Sequence, residues 1–571
     1  MNGFPRVRER IVLRKVDEEV VARLESQLSV PGAVARVLCG RGLSSFEECR
    51  SFFNPSIDQF NDPFLFSSME RAVARIVKAM EANEKIVVHG DYDVDGITST
   101  VLVVRVLRSL GAQCDYYLPN RLTDGYGISV DGVRNIAGSG ATLMITVDCG
   151  ISAVNEIAAA SNLGLDCIVT DHHEAHHDIP RAYAIIDPKV PGCTYPFEHL
   201  AGVGVALKLC QAIAIYFKRP EDLWQRYLDL VALGTAADIV PMVRENRVIT
   251  SLGFERMSSD TVCGLRELMD QQGLWGRRIS TSNAVFQIAP CINAAGRIGD
   301  PDIAVKLLLT DNRDEARELA SQLRSANLER RELDAAVALE AQSWVENNAD
   351  PAVDFGIVAG GANWHAGVIG IVASKIVERY HRPAILFSVG PDGYARGSGR
   401  SIPSVHLLDA LNNCSDLLEG YGGHAAAAGM TIKSALIGEF RARFNGIIRS
   451  MTVPEDFVPV VTADAEAGIP AVTPKLFRII KRMEPFGPGN MRPVFLARDV
   501  RHRTSPRLAG KTHLKMSLVE DGIALDAIGF NFGDRYQEVK NASSISVAYT
   551  VDQNEWNGST TLQMKVKGIS L

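Results

Sequence analysis

The chain contains 571 residues, of which 46% are hydrophobic and 22% are charged. These proportions are ordinary for folded protein and exclude disorder, collagen-like structure and coiled coil as descriptions of the whole chain. At ~150 residues per domain, the length predicts about four domains. The sequence has no long apolar run and begins without an apolar signal segment. Neither a membrane span nor a secretory signal is therefore expected.

Cysteine usage and charge limit the kinds of site, the cellular compartment and the binding partners that the sequence allows. The ten cysteines are scattered with no Cys-x-x-Cys pair, which argues against a zinc site or a disulfide framework and favours the reducing cytoplasm. The formal net charge is −7, yet residues 471–571 hold 15 Lys and Arg against 9 Asp and Glu. The acidic average argues against a general nucleic-acid binder, but a basic C-terminal module can still bind a phosphate backbone locally.

The first part of the chain predicts an α/β domain. Residues 1–55 are interpreted as an N-terminal accessory segment, and residues 56–275 as the first domain. Helical patterns over residues 98–111 and 152–164 separate short apolar runs. The predicted strands are 85–90, 114–119, 141–148, 165–171 and 182–187. Strands that alternate with helices predict a mostly parallel sheet, with its site beyond the carboxyl ends of the strands.

The second half of the chain predicts three further parts. Residues 276–350 form a linker that contains a long helix over 311–348, a stretch without Pro or Gly in which charges alternate in sign. Residues 351–453 form a second α/β domain. Several short strand patterns with turn signals in residues 454–571 predict a small β-barrel.

Potential metal ligands follow four separate apolar segments. They are His89, Asp91, Asp93 and Asp95, then Asp148, then Asp171, His172 and His173, and finally Asp238. Carboxylates and imidazoles without thiolates suit Mn²⁺ or Mg²⁺. Two such ions ~4 Å apart would hold a phosphoryl group and generate hydroxide between them. Because neighbouring positions alternate along an extended backbone, Asp93 and Asp95 can both reach the ions only through a turn, which Gly96 permits.

Each motif alone also has a simpler interpretation. The Asp-rich run could be a solvated turn or a fragment of a calcium loop. Asp148 and Asp238 could be helix caps, and the histidine pair could lie in a loop. The joint occurrence of these residues after several buried segments favours a metal centre.

The motifs resemble those of a known family. DYDVDG, VDCG, DHH and GTAAD resemble the four motifs of the DHH phosphoesterase superfamily, and NWHAGVIGIVASKI, GSGRS and GGHAAAAGM resemble its DHHA1-type partner domain. INAAGRIG, the long helix and PFGPGN are similar to the bacterial branch of exonucleases specific for single strands. The resemblance covers roughly residues 60–571. It implies a DHH-type parallel-sheet domain, a DHHA1-type domain and a C-terminal OB-like barrel.

The resemblance also implies roles for the candidate residues. The first metal would be bound by His89, Asp93 and Asp148, and the second by Asp95, Asp148, His172 and Asp238. Asp171 would orient a ligand. His173 would stabilise charge on the phosphate or donate a proton. Asp91 is either a ligand or a group behind the ligands.

Substrate contacts are expected outside the metal motifs. Arg121 and Arg297 lie in predicted polar loops, where an arginine fork suits phosphate oxygens and a surface salt bridge is the alternative. Arg396, Ser398 and Arg400 lie in a Gly-rich run that lets a phosphate chain approach the backbone. His424 precedes an Ala run that predicts a helix, which would place it at an anion-binding N-terminus. By resemblance, His424 reaches over the scissile phosphate.

The function that the resemblance implies is a 5′-to-3′ exonuclease on single-stranded DNA that releases 5′-mononucleotides in recombination and repair. A narrow passage between two domains would exclude duplex DNA, and the barrel would hold the strand through basic residues such as Arg501, Arg503, Lys511 and Lys515. A monomer is expected, with a single-strand-binding protein and a RecQ-type helicase as partners and no membrane. The alternatives are a small phosphoesterase for short RNA, cyclic dinucleotides or pyrophosphate, and a non-catalytic replication scaffold.

Overall fold

The computed structural model describes residues 8–119, 127–175, 178–219, 222–510, 512–556 and 559–571. Arg121 and Lys511 lie outside these ranges. Within the described part of the chain, the helices are all too short or too polar to cross a bilayer.

The described residues form eighteen strands. In chain order these are β1 Arg10–Leu13, β2 Lys85–Gly90, β3 Cys114–Tyr117, β4 Ala141–Val147, β5 Asp166–Thr170, β6 Ala184–Ile186, β7 Ile357–Gly361, β8 Ala384–Val389, β9 Tyr394–Arg400, β10 Leu418–Gly423, β11 Ala427–Lys433, β12 Val460–Ala463, β13 Ala465–Glu466, β14 Phe495–Ala509, β15 His513–Glu520, β16 Ile523–Gly529, β17 Ile545–Trp556 and β18 Ser559–Ser570.

The same ranges contain twenty-one α-helices. They are α1 Glu18–Leu28, α2 Gly32–Cys39, α3 Phe46–Phe53, α4 Met69–Glu81, α5 Val94–Ser109, α6 Val130–Gly138, α7 Val154–Asn162, α8 Gly202–Tyr216, α9 Asp222–Gln225, α10 Leu228–Ala237, α11 Arg244–Met257, α12 Cys263–Gln271, α13 Thr281–Asn283, α14 Ala289–Ile298, α15 Asp302–Leu309, α16 Arg313–Asn348, α17 Ile369–Tyr380, α18 Leu407–Asn412, α19 Ile437–Met451, α20 Pro474–Arg482 and α21 Tyr536–Asn541.

The chain divides into two compact units. One contains Arg41–Asn327 and Ile479–Arg492, and the other contains Met1–Gly40, Leu328–Arg478 and Pro493–Leu571. The short second piece of the first unit is bound by a buried guanidinium, because Arg247 Nη1 donates to the carbonyl oxygen of Met483 at 2.8 Å. We call the unit with Arg41–Asn327 the DHH unit and the other the C-terminal unit.

A five-stranded parallel sheet forms the centre of the DHH unit, in the order β3-β2-β4-β5-β6. Both faces of the sheet are buried. In β2, Ile86 and Val88 belong to one apolar core, whereas Val87 belongs to a separate core on the other face. Continuous apolar strands are typical of parallel sheets that are covered on both sides. The predicted parallel sheet is confirmed.

The helix after β2 begins earlier than the sequence predicts. We expected it from residue 98, but α5 starts at Val94. The reason is the capping side chain of Asp93, whose Oδ1 accepts hydrogen bonds from the N–H groups of Asp95 at 2.9 Å and Gly96 at 3.1 Å. Asp95 therefore lies in the first helical turn, and the helix rather than an extended segment sets the spacing of the two carboxylates.

The C-terminal unit contains the second predicted α/β domain. Its sheet has the order β10-β11-β9-β8-β7, in which only β7 and β8 run parallel. Helices α17 and α19 pack against it, with Phe440 and Phe444 of α19 in the core. Helix α16 has 36 residues, as its uninterrupted polar sequence predicts, and its Val337, Ala341 and Val345 join a core of this unit.

The predicted barrel is also confirmed. Five strands close in the order β14-β15-β16-β18-β17, and β17 pairs back onto β14. Closure leaves no free edge among these strands, as in OB-folds. At the start of the unit, β1 runs parallel to β12 with Arg10 paired to Val460.

Candidate metal centre

The carboxyl ends of β2, β4 and β5 bring the predicted ligands together in the DHH unit. Because neighbouring parallel strands end at one edge of a sheet, segments far apart in sequence meet there. Three groups of side chains place ligand atoms within 4.8 Å of one another. The groups are Asp91, Asp93 and Asp148; Asp95, His172 and Asp238; and Asp148, His172 and His173.

Asp148 and His172 each belong to two of these groups, and Asp148 is the carboxylate that does so. It follows β4 with a left-handed backbone conformation, φ 60°, which is uncommon outside glycine but tolerated by Asp. Its N–H still donates to the carbonyl oxygen of Thr170 at 3.0 Å. The strand ladder therefore continues to Asp148 while the reversed φ turns its side chain into the cluster.

His172 Nε2 faces three carboxylates. It lies 3.1 Å from Asp148 Oδ1, 3.7 Å from Asp238 Oδ2 and 3.9 Å from Asp95 Oδ2. Burial, followed by the charge of His173, lowers the pKa of His172 to about 3, so the ring is neutral. Within the described residues, His172 Nε2, Asp148 Oδ1 and Asp238 Oδ2 are buried atoms without a hydrogen-bond partner. Such an arrangement of acceptors is the environment that a cation requires.

The carboxylates of the cluster destabilise one another when no cation is present. Burial raises the pKa of Asp95 and of Asp148 well above the usual value, and neighbouring aspartates raise both further. Burial and the charge of Asp93 raise the pKa of Asp238 to about 7. The donor set of carboxylate oxygens and neutral imidazole fits Mn²⁺ or Mg²⁺.

His89 has the chemistry of a ligand but belongs to none of these groups of described residues. It is fully buried at the end of β2, and burial lowers its pKa to about 4. Its Nε2 has no hydrogen-bond partner among the described residues, while Nδ1 lies 3.7 Å from Cys149 Sγ. Asp91, whose role the sequence left open, stands with Asp93 and Asp148 instead. The assignment of ligands stays a prediction.

Asp171 and His173 form a hydrogen-bonded pair at the edge of the cluster. Asp171 Oδ1 accepts from His173 Nδ1 at 2.7 Å, and Oδ2 accepts from the N–H of Ile151 at 2.9 Å. Burial lowers the pKa of His173, but the hydrogen bond and charge of Asp171 raise it more, to about 9. The ring is therefore a cation at neutral pH and is oriented by a buried carboxylate.

Three family models match the chain in chain order. The model described as the DHH family, N-terminal domain, matches residues 85–235, the DHHA1 domain matches residues 354–450, and the RecJ OB domain matches residues 463–568. The first match contains all the residues of the metal cluster except Asp238, which lies three residues beyond it.

Curated relatives match almost the whole chain. The single-stranded-DNA-specific exonuclease RecJ of Bacillus subtilis is 40% identical over 557 residues, which are 97% of this chain and 70% of the relative. RecJ of Escherichia coli K12 is 34% identical over 99% of this chain and 100% of the relative. The chain belongs to the RecJ family.

The fold of this RecJ-family chain also matches a solved structure. The crystal structure of RecJ in complex with Mn²⁺ from Thermus thermophilus has a TM-score of 0.84 and 30% sequence identity. The match covers 99% of this chain and 80% of that chain. The fold class predicted from the sequence is thereby confirmed.

Within the C-terminal unit of this RecJ-family chain, strand register places part of the predicted substrate set on a flat face. Ser398 pairs with Gly429, and Gly429 pairs with Gly422 on the next strand. A Cβ atom added at either glycine would meet no described atom within 4 Å. Arg396 lies two residues before Ser398 and is exposed, while Arg400 Nη1 donates to Ser398 Oγ at 3.2 Å. The Gly-rich run is thus a strand whose polar side chains lie beside glycines, and these glycines leave the sheet surface uncovered by described atoms.

The predicted helix after His424 is wrong. The Ala run enters strand β11, because Gly423 pairs with Ala428 across a hairpin and its backbone has φ 143°. His424 lies in that turn and is exposed, with Nδ1 accepting from the N–H of Ala426 at 3.3 Å. No helix N-terminus therefore supports anion binding at this described position.

The predicted loop around Arg297 is also wrong. Arg297 lies in the last turn of α14, where an Ala-rich sequence follows a proline near the helix start. The same helix contacts the metal motif, because Asn293 Oδ1 accepts a hydrogen bond from the N–H of Val94 at 3.1 Å. Helix α14 thus places Arg297 one turn beyond a residue that touches the ligand-bearing segment.

Asp187, directly after β6, is a further carboxylate that was not among the predicted site residues. The residue is buried, and burial raises its pKa to about 7. Its Oδ1 accepts from the N–H of Lys189 at 2.8 Å. The signal was present, since the predicted strand at 182–187 ends in an aspartate as the neighbouring strands do.

Proposed function

We propose that this chain is a metal-dependent exonuclease that degrades single-stranded DNA from the 5′ end and releases 5′-mononucleotides in DNA recombination and repair. The observation that carries the proposal is the neutral His172 ring, whose Nε2 faces the buried carboxylates of Asp95 and Asp148 and the partly exposed carboxylate of Asp238 at 3.1–3.9 Å and has no hydrogen-bond partner among the described residues. The names of the RecJ relatives support the substrate class. The direction of digestion is proposed from the resemblance of the motifs.

The proposed centre holds two divalent cations, Mn²⁺ or Mg²⁺. Asp95, His172 and Asp238 hold one, and Asp93 with His89 or Asp91 holds the other. Asp148 belongs to both. When bound, the ions polarise the phosphoryl group and lower the pKa of a water molecule.

The chain's own residues supply the rest of the chemistry. Asp171 fixes the His173 ring through Nδ1, which leaves Nε2 directed away from that bond. The imidazolium neutralises charge on the phosphoryl oxygens or donates a proton to the departing 3′ oxygen. Within the DHH unit, Arg297 binds phosphate. Within the C-terminal unit, Arg396 and Arg400 do so together with Ser398 and His424. Arg121 is proposed for the same role from its sequence alone.

The barrel offers a basic row for the strand. Arg507 pairs with Lys515, Lys515 with Ile528, and Ile528 with Lys565, so the side chains of four neighbouring strands share one outer face. The exposed ring of Phe530 lies near this row, with Lys565 Nζ 5.1 Å from its centroid. Cations that follow a phosphate backbone and an aromatic ring that stacks on bases are the usual elements of single-strand binding.

The cellular setting is proposed from the cysteines and from the resemblance of the motifs. The ten cysteines are thiols rather than disulfides, which supports a reducing cytoplasm. A single-strand-binding protein and a RecQ-type helicase that supplies the strand are proposed as partners from the resemblance, and the chain is proposed to act as a monomer.

The test follows nucleotide release from single strands labelled at the 5′ or the 3′ end. We expect Mn²⁺-dependent release of the 5′ label as mononucleotide, no release with EDTA, and little release from duplex. Asp148→Ala should lower the rate at least about a thousandfold, because it removes several kcal/mol of metal-dependent stabilisation. Asp115→Asn, at the opposite end of the same sheet, is the control, because its carboxylate is exposed and lies 3.9 Å from the Arg108 guanidinium. Digestion by Asp148→Ala at the wild-type rate would refute the proposed centre.

A further inference from the structure

The N-terminus of α8 touches two of the proposed ligands. The N–H of Gly202 donates to Asp95 Oδ2 at 2.7 Å, and the N–H of Val203 donates to Asp95 Oδ1 at 2.9 Å. The residue before the helix, Ala201, makes no side-chain capping bond. The carboxylate of Asp95 therefore caps a helix from another segment, and the helix in turn fixes both oxygens of that carboxylate.

Gly202 also lies against Asp148. A Cβ atom at this position would stand 2.5 Å from Asp148 Oδ1 and 2.7 Å from its Cβ and Cγ. These are distances that atoms do not adopt, and the buried Asp148 side chain would have to move. The glycine is required here for space, because the helix starts against the carboxylate that belongs to two ligand groups.

The axial position of α8 is fixed two turns further along. Lys208 Nζ forms a fully buried ion pair with Glu245 Oε1 at 2.6 Å and donates to the carbonyl oxygen of Asn61 at 3.0 Å. Glu245 Oε2 accepts from the Tyr195 hydroxyl at 2.6 Å. A buried pair with its hydrogen bonds satisfied allows only one placement, so α8 cannot slide along its axis without leaving a buried charge unpaired.

We propose that the first turn of α8 is a positioning element for the metal centre, with Gly202 as its positioning residue. Gly202 acts through Asp95 and Asp148: its N–H orients one carboxylate, and its missing side chain makes room for the other. This inference rests on the proposed function, because it concerns the metal affinity of that same centre.

The test measures Mn²⁺ binding to the full-length, metal-stripped chain by calorimetry, without DNA. Gly202→Ala should lower the affinity roughly 10–100-fold, as changes behind metal ligands commonly do. The thermal midpoint in EDTA should change little, because the preference of alanine over glycine for a helix offsets part of the cost of moving the Asp148 side chain. Gly204→Ala in the same turn is the matched control, since the three atoms nearest to a Cβ there all belong to the Leu200 side chain, at 3.2 Å or more.

A second pair of variants isolates the hydrogen bond. Val203→Pro removes the N–H that donates to Asp95, at a position in the first turn where no intrahelical bond is lost. Val203→Ala shortens the side chain and keeps the N–H. We expect Val203→Pro to bind Mn²⁺ at least tenfold more weakly than Val203→Ala. If Gly202→Ala does not fold, the comparison of Val203→Pro with Val203→Ala tests the positioning role by itself.

Two outcomes separate this inference from the proposed function. Wild-type affinity in Gly202→Ala, or equal affinity in Val203→Pro and Val203→Ala, would overturn the positioning role alone. A wild-type chain that takes up no Mn²⁺ would overturn the proposed centre and the positioning role with it.

Discussion

His173 donates through Nδ1 to Asp171 Oδ1 at 2.7 Å, and the two side chains differ in exposure, with 44% for the histidine and 1% for the aspartate. A buried carboxylate thus orients a half-exposed cation at the edge of the metal cluster. The carboxylate keeps its own charge: burial raises the pKa of Asp171, but the hydrogen bond and charge of His173 lower it more, so the net shift is downward.

This pair should act as a unit. Asp171→Asn should slow DNA digestion roughly 10–100-fold. The amide has only one acceptor oxygen, so it cannot accept from both the Ile151 N–H and His173 Nδ1, and it lacks the charge that keeps the ring protonated. In a double-mutant cycle, Asp171→Asn should add little to the loss already caused by His173→Ala. Mn²⁺ affinity is measured in parallel, and His173→Ala should leave it nearly unchanged. Losses that multiply in the double variant would show that the two residues act independently.

Arg297 should discriminate between 5′ ends. A charge-assisted contact with a terminal phosphate is worth about 1.5–3 kcal/mol, so Arg297→Ala should reduce the preference for a phosphorylated end about tenfold or more. Arg297→Lys keeps the charge but loses the fork and should retain part of the preference. The measurement compares digestion rates of strands with and without a 5′ phosphate. An unchanged ratio in Arg297→Ala would exclude this role.

The basic row of the barrel should set the salt dependence of binding. Replacing Arg507, Lys515 and Lys565 by alanine removes three phosphate contacts, and each should reduce the salt slope for a single strand by about 0.7. The slope of log affinity against log salt should therefore flatten by about two. The measurement is a binding titration with a long strand across a salt series.

A charge-matched variant controls for net charge. Arg498, Lys475 and Lys540 lie in the same part of the chain but outside the row, and Arg498 is already paired with Glu466 at 2.5 Å. Replacing these three by alanine should leave the slope nearly unchanged. If the salt slope falls equally in both triple variants, binding of the DNA strand depends on overall charge and the basic row is not its binding site.

Metal-free stability should depend on pH through Asp238. The pKa of Asp238 is raised from its ordinary value of 3.8 to about 7 in the folded chain. Between these two pH values the Asp238 carboxyl is therefore protonated in the folded chain and ionised in the unfolded chain. The stability that this group contributes is present below pH 3.8 and is lost as the pH rises towards 7. In EDTA, Asp238→Asn should therefore gain stability over the wild type as the pH rises, by up to about 4 kcal/mol.

Thermal midpoints of both chains between pH 5 and 8 check this expectation. The advantage of Asp238→Asn should grow up to pH 7 and then level off. Added Mn²⁺ should reverse the order, because only the wild type retains the full ligand set. An advantage independent of pH would mean that Asp238 does not bear the raised pKa.

The sequence predicted the parallel sheet and its edge well, because the signals there are local. Apolar strands that end in aspartate or histidine, such as Asp148 after β4, place a side chain at the edge whatever the rest of the fold does. The sequence-based prediction failed where pairing between strands determines the secondary structure. The Ala run after His424 favours a helix by propensity, but the hairpin partner at Gly423 makes it a strand.

Contacts between segments were likewise invisible in the sequence. Nothing local to Gly202 shows that a carboxylate 54 residues earlier along the chain would stand against its Cα, since Asp148 and Gly202 meet only once β4 and α8 pack. The same holds for Asn293, whose side chain accepts from Val94. The local sequence pattern identifies the side chains that can bind a metal. Tertiary packing determines which other residues position those side chains.

The division of the chain bears on how the protein is made. Arg14 and Asp464, which form an ion pair at 2.9 Å, are 450 residues apart in sequence. Arg247 and its acceptor at Met483 are 236 residues apart. During synthesis, residues emerge from the N-terminus onward and domains fold as they are completed. The sheet that carries the metal cluster is complete long before the ribosome reaches residue 483. Until then the Arg247 guanidinium lacks that acceptor. Likewise, β1 has no pairing partner until β12 has been synthesised. In a nascent chain the proposed catalytic groups are therefore in place while both units still lack segments that lie beyond residue 459.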